Sequence, residues 1–219
     1  MNLNRDEIRS AIIGMVIGDA SLSKRWKTGN AHLQMTHSEK QYEYMLWKKT
    51  ILDKITGSSI CPTTRELKGK IYKGYHLGTH VHPMFTKLYK RFYHETHKCV
   101  DEYLVKKITP LALAIMYMDD GTFGNGGRKS DSFFLCTQSF DYANQLLLKK
   151  SMKIKYDLDW NLNKTAKSVK GTYNYRLRLA NKCNQRFLEI IRPYVELVPC
   201  MVQKLGSDAN QGSKPCDIV

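Results

Sequence analysis

The sequence has no apolar run near the roughly 18 residues that suggest a membrane-spanning helix, so nothing in it reads as a transmembrane helix. Met1 to Ser10 is polar and charged and lacks the basic-then-apolar order of a secretory signal. The six cysteines (Cys61, Cys99, Cys136, Cys183, Cys200 and Cys216) include no C-x-x-C pair and no Cys/His grouping with zinc-ligand spacing. Zinc fingers and dithiol redox centres are thereby excluded. Reduced structural thiols in a reducing compartment are expected, either intracellular, in an organelle (mitochondrion or chloroplast), or in a prokaryotic cytoplasm. Low-complexity tracts are missing. So are protein-splicing motifs, which points to an intron-encoded or free-standing frame rather than an intein. Negative charge is in short supply: 20 acidic residues stand against 35 Lys and Arg, a net charge of +15.

That imbalance makes a polyanion the expected partner, through counterion release from phosphate. A membrane surface would call for a basic amphipathic helix or a tight basic cluster. Here the basic residues are spread through segments that read as strands, so no membrane partner is expected. With 219 residues the chain can bury a substantial core in one domain or in two compact halves.

Two apolar stretches look like copies: Ile12-Ile13-Gly14-Met15-Val16-Ile17-Gly18-Asp19-Ala20 and Leu113-Ala114-Ile115-Met116-Tyr117-Met118-Asp119-Asp120-Gly121. Asp19 and Asp120 lie 101 positions apart, and the same offset pairs Thr36-His37-Ser38 with Thr137-Gln138-Ser139. Phe85 pairs with Phe187 one position further off register. Three pairings in order at a nearly constant offset indicate a tandem duplication.

Each half reads as αββαββα. A helix opens it (5–19 and 109–120), followed by a hairpin: 21–27 into 31–36, and one turning at Gly124-Asn125-Gly126-Gly127 into 132–137. A second helix follows (38–55 and 140–152), with Tyr42, Met45, Leu46, Lys49 and Ile55 near helical spacing. The second hairpin has strands 62–68 and 71–79 in the first half, and 153–163 and 172–180 in the second. Amphipathic runs 84–93 and 185–195 close the halves. The chain thus divides into a first half (1–93), a polar connector (94–108), a second half (109–205) and a flexible tail (206–219).

Gly14 and Gly18 lie four apart on one helical face, which lets another helix approach closely. A carboxylate at a helix C-terminus sits at the negative end of the dipole and is costly unless a cation offsets it. If the two motif helices pack together, Asp19 and Asp120 emerge side by side. Hard oxygen ligands without neighbouring Cys or His favour Mg²⁺.

These features resemble the LAGLIDADG homing endonucleases in the single-chain form that carries the motif twice. The resemblance covers about residues 8–205. It rests on Gly14-Met15-Val16-Ile17-Gly18-Asp19-Ala20, Thr109-Pro110-Leu111-Ala112-Leu113-Ala114, Tyr117-Met118-Asp119-Asp120-Gly121, Thr137-Gln138-Ser139-Phe140, Ile191-Arg192-Pro193-Tyr194 and Met201-Val202-Gln203-Lys204-Leu205. It implies that Asp19 and Asp120 are metal ligands, with Asp119 secondary. It implies a basic residue at Lys204 and a partner at Lys98, with His97 in the ungapped position. More distant members point instead to Lys182 in the second half, where the first half offers His80 and His82. Gln138 matches a position that orients active-site water, and His37 is its repeat partner. Hydrolysis of two strands needs two such sets, each with a carboxylate and a lysine that stabilises charge or orders water.

The implied fold is α/β (α+β), two pseudo-symmetric halves forming a β-saddle over double-stranded DNA, as a monomer. Strands laid in a major groove would carry Lys24, Arg25, Lys27, Arg65, Lys68, Lys70 and Lys73 in the first half. In the second half they would carry Arg128, Lys129, Lys153, Lys155, Lys164, Lys167, Lys170, Arg176 and Arg178. Gln34, Asn161, Asn163 and Asn174 are candidates for base edges. The implied activity is Mg²⁺-dependent cleavage of both strands at one long asymmetric site, leaving four-base 3′ overhangs and promoting intron homing. The alternatives are an intron-encoded RNA maturase, with its own intron RNA as partner, and a non-cleaving DNA-binding protein on the same fold.

Overall fold

A computed structural model describes residues 1–94, 97–124, 132–167 and 173–211. The first half runs α1 (Arg5–Ile17), β1 (Ser21–Ser23), β2 (His32–Ser38), α2 (Tyr42–Leu52), β3 (Ser58–Leu67), β4 (Lys70–Thr79) and α3 (Pro83–Phe92). A small hairpin, β5 (Tyr93–His94) and β6 (His97–Lys98), and the short α4 (Glu102–Lys106) link it to the second half. There the order repeats: α5 (Pro110–Asp120), β7 (Gly121–Gly124), β8 (Ser132–Leu135), α6 (Tyr142–Tyr156), β9 (Trp160–Lys167), β10 (Tyr173–Leu179) and α7 (Asn184–Val195). Short helical turns follow over Pro199–Gln211, broken at Gly206, whose φ is 81°. Both halves carry a four-stranded antiparallel sheet of the same order, β1-β2-β4-β3 and β7-β8-β10-β9. The expected αββαββα order therefore appears twice.

Local chemistry sets where the motif helices begin. The Asn4 side chain accepts from the backbone N–H groups of Asp6 and Glu7, and Glu7 accepts from the Asn4 N–H in return, closing a capping box on α1. Thr109 caps α5, with Pro110 in the first turn where a missing N–H costs nothing. Every residue of Ala11–Ile17 and of Leu111–Met118 is buried, as in helices enclosed on all sides. They enclose each other. A Cβ placed on Gly14 would lie 2.6 Å from the Ala112 carbonyl oxygen, so the bare glycine sets the helix separation. At the N-terminal end of the pair, Ser10 Oγ donates to the Lys107 carbonyl at 2.7 Å and lies 2.8 Å from Thr109 Oγ1. The helices are thus parallel, and both motif acids come out at the same end.

Three departures from the sequence reading matter for the site. First, α1 stops at Ile17, so Asp19 sits just past the helix, whereas α5 continues through Asp120. Second, the buried face of α2 is Tyr44, Met45, Lys48, Ile51 and Leu52, while Tyr42 and Leu46 are exposed. Third, α6 runs on to Tyr156, where a strand was expected from 153. Leu148 and Met152 continue its buried stripe, and Lys153 pairs with Asp157 (2.6 Å) and Asp159 (2.9 Å) beyond its end. Asp157, at φ 55°, turns the chain into β9, which begins at the buried Trp160. Similarly, β3 starts at Ser58, opposite Thr79, rather than at 62.

Candidate active site and nucleic-acid interface

At the shared end of α1 and α5, three carboxylates gather. The Asp19 backbone N–H donates to Asp119 Oδ2 at 3.3 Å. The Asp19 side chain is 38% exposed, and Asp120 is half-buried. Burial first, and the neighbouring Asp119 charge second, push the Asp19 carboxyl above its ordinary value. Burial, then Asp19 and Asp119, push Asp120 up to about 7. Two carboxylates that resist ionising together fit a hard divalent cation, which would remove their repulsion.

Asp119 does something else. Its side chain is fully buried, with Oδ1 2.5 Å from the equally buried Lys48 ammonium. It passes directly against Gly18, where a Cβ would lie 2.6 Å from the Asp119 Cβ. Asp19, His37 and Asp119 each place one ligand atom within 4.8 Å of the others. The Lys48 ammonium already neutralises Asp119, however, so Asp19 and Asp120 are the pair better suited to a metal.

The two lysines implied by the resemblance occupy matching places. Lys98 Nζ donates to the carbonyls of Gly18 (3.2 Å) and Ala20 (3.3 Å), at the end of α1. Lys204 Nζ donates to the carbonyls of Met118 and of Asp119 (3.2 Å), at the end of α5. Each ammonium thus rests on the negative end of its own motif helix. Burial lowers both pKa values, opposed by Asp119, Asp120 and Asp19. Among the rival positions, Lys182 and His82 have side-chain partners elsewhere. Lys182 is exposed and paired with Asp159 at 2.7 Å. His82 caps α3 by accepting from the Met84 N–H. The His80 backbone N–H bonds the Gly57 carbonyl, and His97 is exposed on β6.

His37 and Gln138 both face this centre, differently. Lys48 Nζ lies 3.0 Å from His37 Nε2. An ammonium only donates, so Nε2 accepts and the ring proton sits on Nδ1, 3.7 Å from Asp19 Oδ2. Burial, then Lys48, lowers the His37 pKa to about 4, leaving the ring neutral. Gln138 is half-buried and hydrogen-bonds the Cys136 thiol, whose backbone N–H bonds the Asp120 carbonyl. Sequence reasoning missed Lys48. Its signal was a lysine three residues after Met45 and four before Leu52, on the buried stripe of α2.

Strand register sorts the basic candidates. In the first sheet Gln34, opposite Gly78, and Arg65, opposite Tyr72, alternate onto the face turned away from Leu33, Met35 and Leu77, and Lys70 shares it. Lys73, opposite Thr64, has the parity of Leu77 and lies on the other face. Lys68 sits at the hairpin tip with φ 50°, ahead of Gly69 at φ 73°. Lys24, Arg25 and Lys27 belong to the β1–β2 connection, with Lys24 Nζ 5.6 Å from the Tyr89 ring of α3. In the second sheet Arg176 and Arg178 pair with Asn163 and Asn161, so all four share one face with Phe134. The Arg176 guanidinium lies 4.0 Å from the Phe134 ring, and Arg178 Nη2 donates to Ser132 Oγ at 2.9 Å. Lys153 and Lys155 are corrections: both are on α6, not on a strand. Lys153 is held by Asp157 and Asp159, and Lys155 Nζ donates to the Lys106 and Ile108 carbonyls. Arg128, Lys129 and Lys170 lie outside the described residues.

The chain is 28% identical over 222 residues to the DNA endonuclease I-ChuI of Chlamydomonas applanata, covering 97% of this chain and 99% of that protein. It is 26% identical over 206 residues to the cytochrome b mRNA maturase bI2 of Debaryomyces hansenii, covering 92% of this chain and 74% of that relative. It also spans about half the length of RecA proteins that it matches, 47% of that of Mycobacterium gastri. Its fold is similar to that of the homing endonuclease I-WcaI bound to its DNA recognition sequence, with a TM-score of 0.79 and 24% identity over 94% of this chain and 88% of the other. The LAGLIDADG DNA endonuclease family matches residues 9–187. That span takes in α1 from residue 9 onward, all of α5 and both of their terminal carboxylates, and the chain belongs to this family of DNA endonucleases.

Proposed function

We propose that this chain is a monomeric homing endonuclease that makes Mg²⁺-dependent double-strand breaks in a long asymmetric duplex, leaving four-base 3′ overhangs and promoting intron homing. The observation that carries this reading is the convergence of Asp19 and Asp120 at one end of α1 and α5, with Lys98 and Lys204 seated on the matching helix ends. Asp19 and Asp120 would hold the divalent cation, which when bound supplies Lewis-acid polarisation of the scissile phosphate. Lys98 and Lys204 place positive charge beside the carboxylates, where charge develops on the phosphate oxygens. Gln138, close to the Asp120 end, is suited to orient a water. Arg176, Arg178, Asn161 and Asn163 on one sheet face, and Gln34, Arg65 and Lys70 on the other, are suited to phosphates and base edges.

The test is linearisation of a plasmid carrying the uninterrupted insertion site of the host gene, in Mg²⁺. Asp19→Asn and Asp120→Asn should each abolish double-strand cutting while duplex binding survives. Full cleavage by either variant would overturn the assignment of the acids. The likeness to an mRNA maturase supports a second reading, in which the same basic surface serves the chain's own intron RNA. Tight binding of that RNA by a wild-type protein that never cuts the plasmid would favour it.

A further inference from the structure

The two halves are alike in their acids and lysines but not in what lies beneath them. By the repeat, Asp119 corresponds to Gly18. The buried faces of α2 (Tyr44, Met45, Lys48, Leu52) and α6 (Asn144, Gln145, Leu148, Met152) match in turn, so Lys48 corresponds to Leu148. Of the two repeat-related places where α2 or α6 meets the motif end of the other half, one therefore has the Lys48–Asp119 ion pair and the other has Leu148 and Gly18.

The environment of Lys48 is fully built. Its side chain is 0% exposed, and its ammonium meets Asp119 Oδ1 at 2.5 Å, His37 Nε2 at 3.0 Å and the face of the Tyr44 ring at 4.2 Å from the centroid. A cation this deep is tolerated only when its donors are all used. Both groups it touches then continue to Asp19. Asp119 Oδ2 accepts from the Asp19 backbone N–H at 3.3 Å, and His37, which also hydrogen-bonds Gln41, packs its Nδ1 3.7 Å from Asp19 Oδ2, beyond hydrogen-bond distance. Asp19, which lies beyond the last turn of α1, is thus approached from two sides by groups that Lys48 ties together. Asp120 is fixed differently: it is still within α5, and its carbonyl is bound by the Cys136 N–H.

We propose that Lys48, acting through Asp119 and His37, is a positioning residue for Asp19, and that this one-sided support makes the two strand-cutting centres unequal. The inference rests on the endonuclease reading above. It predicts that loss of Lys48 slows one strand of the target selectively rather than both.

The experiment uses the full chain and a supercoiled plasmid carrying the insertion site, with each strand end-labelled in a parallel linear duplex. Lys48→Leu leaves a buried carboxylate unpaired and is expected to destabilise the fold. The decisive variant is therefore the double substitution Lys48→Leu with Asp119→Ala, which removes both charges. Thermal melts in EDTA, without DNA or metal, should show each single substitution lowering Tm and the double recovering most of the loss. In Mg²⁺ the double variant should bind the duplex as the wild type does. It should cut one strand about 10–100-fold more slowly, as a displaced catalytic group does, with the other strand within a few-fold, so that nicked circles accumulate. Equal slowing of both strands, an unchanged nicked-to-linear ratio, or additive losses of Tm would each overturn the positioning role. A wild-type protein that cuts neither strand would overturn the endonuclease reading and this inference with it.

Discussion

Replacing Gly18 with alanine tests how tightly the motif pair is built. A Cβ there would lie 2.5 Å from Asp119 Oδ2 and 2.6 Å from Asp119 Cβ. The Asp119 carboxylate is not a free end that can swing aside, because Lys48 holds its other oxygen at 2.5 Å inside the core. Moving α5 away would open the close backbone contact of Gly14 with Ala112 further up the pair. If the helices separate by a few tenths of an ångström, the overpacking costs about 1–3 kcal/mol. If the carboxylate is expelled instead, a buried ion pair is broken at a cost of about 3–5 kcal/mol. In a chain of this size each kcal/mol lowers Tm by roughly 2–4 °C, so the expected fall is about 2–20 °C, with the upper part of the range marking a broken pair. Gly18→Ala with Asp119→Ala removes the carboxylate but keeps the Cβ that would lie 2.6 Å away, and it strands the Lys48 charge, so it should not recover. Adding Lys48→Leu should recover the part of the loss due to that stranded charge, leaving the Cβ–Cβ overlap. Melts followed by circular dichroism in EDTA read all three. A Gly18→Ala protein that melts within a degree of wild type would refute the packing argument, and so would recovery by Asp119→Ala alone.

The raised pKa of Asp120 carries its own pH signature. The folded state keeps this proton up to about 7 while the unfolded chain releases it near 3.8, so the group's contribution to stability declines as pH rises through that interval. Melts from pH 5 to 8 should show Mg²⁺ raising Tm more at higher pH, and Asp120→Asn should flatten that dependence; a wild-type Mg²⁺ effect independent of pH would contradict the assignment. Lys98→Met and Lys204→Met should each lower the cleavage rate by about 10²-fold or more with duplex binding intact, as single-turnover assays would show. For DNA contacts, Arg176→Ala and Arg178→Ala should each reduce the slope of log affinity against log salt by about 0.9 in anisotropy titrations. Lys153→Ala and Lys155→Ala should leave it unchanged, because both ammonium groups face protein partners on and beside α6.

Much of the fold was legible because duplication writes the same signal twice. Either apolar run ending in an acid reads alone as a capped helix. Matched at a fixed offset, the two define a packed pair, and the hairpins follow from the turns and alternation, whereas the β2–β4 and β8–β10 pairings that join the hairpins of each half are not written in any turn. Boundaries were less legible where one residue type serves two structures. The Lys153–Tyr156 stretch alternates like a strand, yet it remains helical because Leu148 and Met152 anchor the turn before it and Lys153 has two acids to meet beyond it. The carboxylates and the two lysines were singled out through motif position, and the structure gathers them at the helix ends that the motif itself defines.

Lys48 and Asp119 illustrate the opposite case. Hydrophobic periodicity treats a lysine on a helix stripe as an interruption, and it shifted the reading of α2 toward Tyr42 and Leu46, which are exposed. What places Lys48 inside is a partner 71 positions away in sequence, and Asp119 can reach it only because position 18 has no side chain. A buried pair of this kind is invisible to local patterns, since each member alone would be excluded from the core by the cost of its charge. It is also hard to justify by stability, because an apolar pair of similar volume often does as well or better, and the repeat-related positions, Gly18 in the first half and Leu148 in the second, carry no charge. That the ion pair is present at only one of the two repeat-related places, beside the one motif acid that sits beyond its helix, argues that its contribution lies in holding Asp19 rather than in stabilising the core.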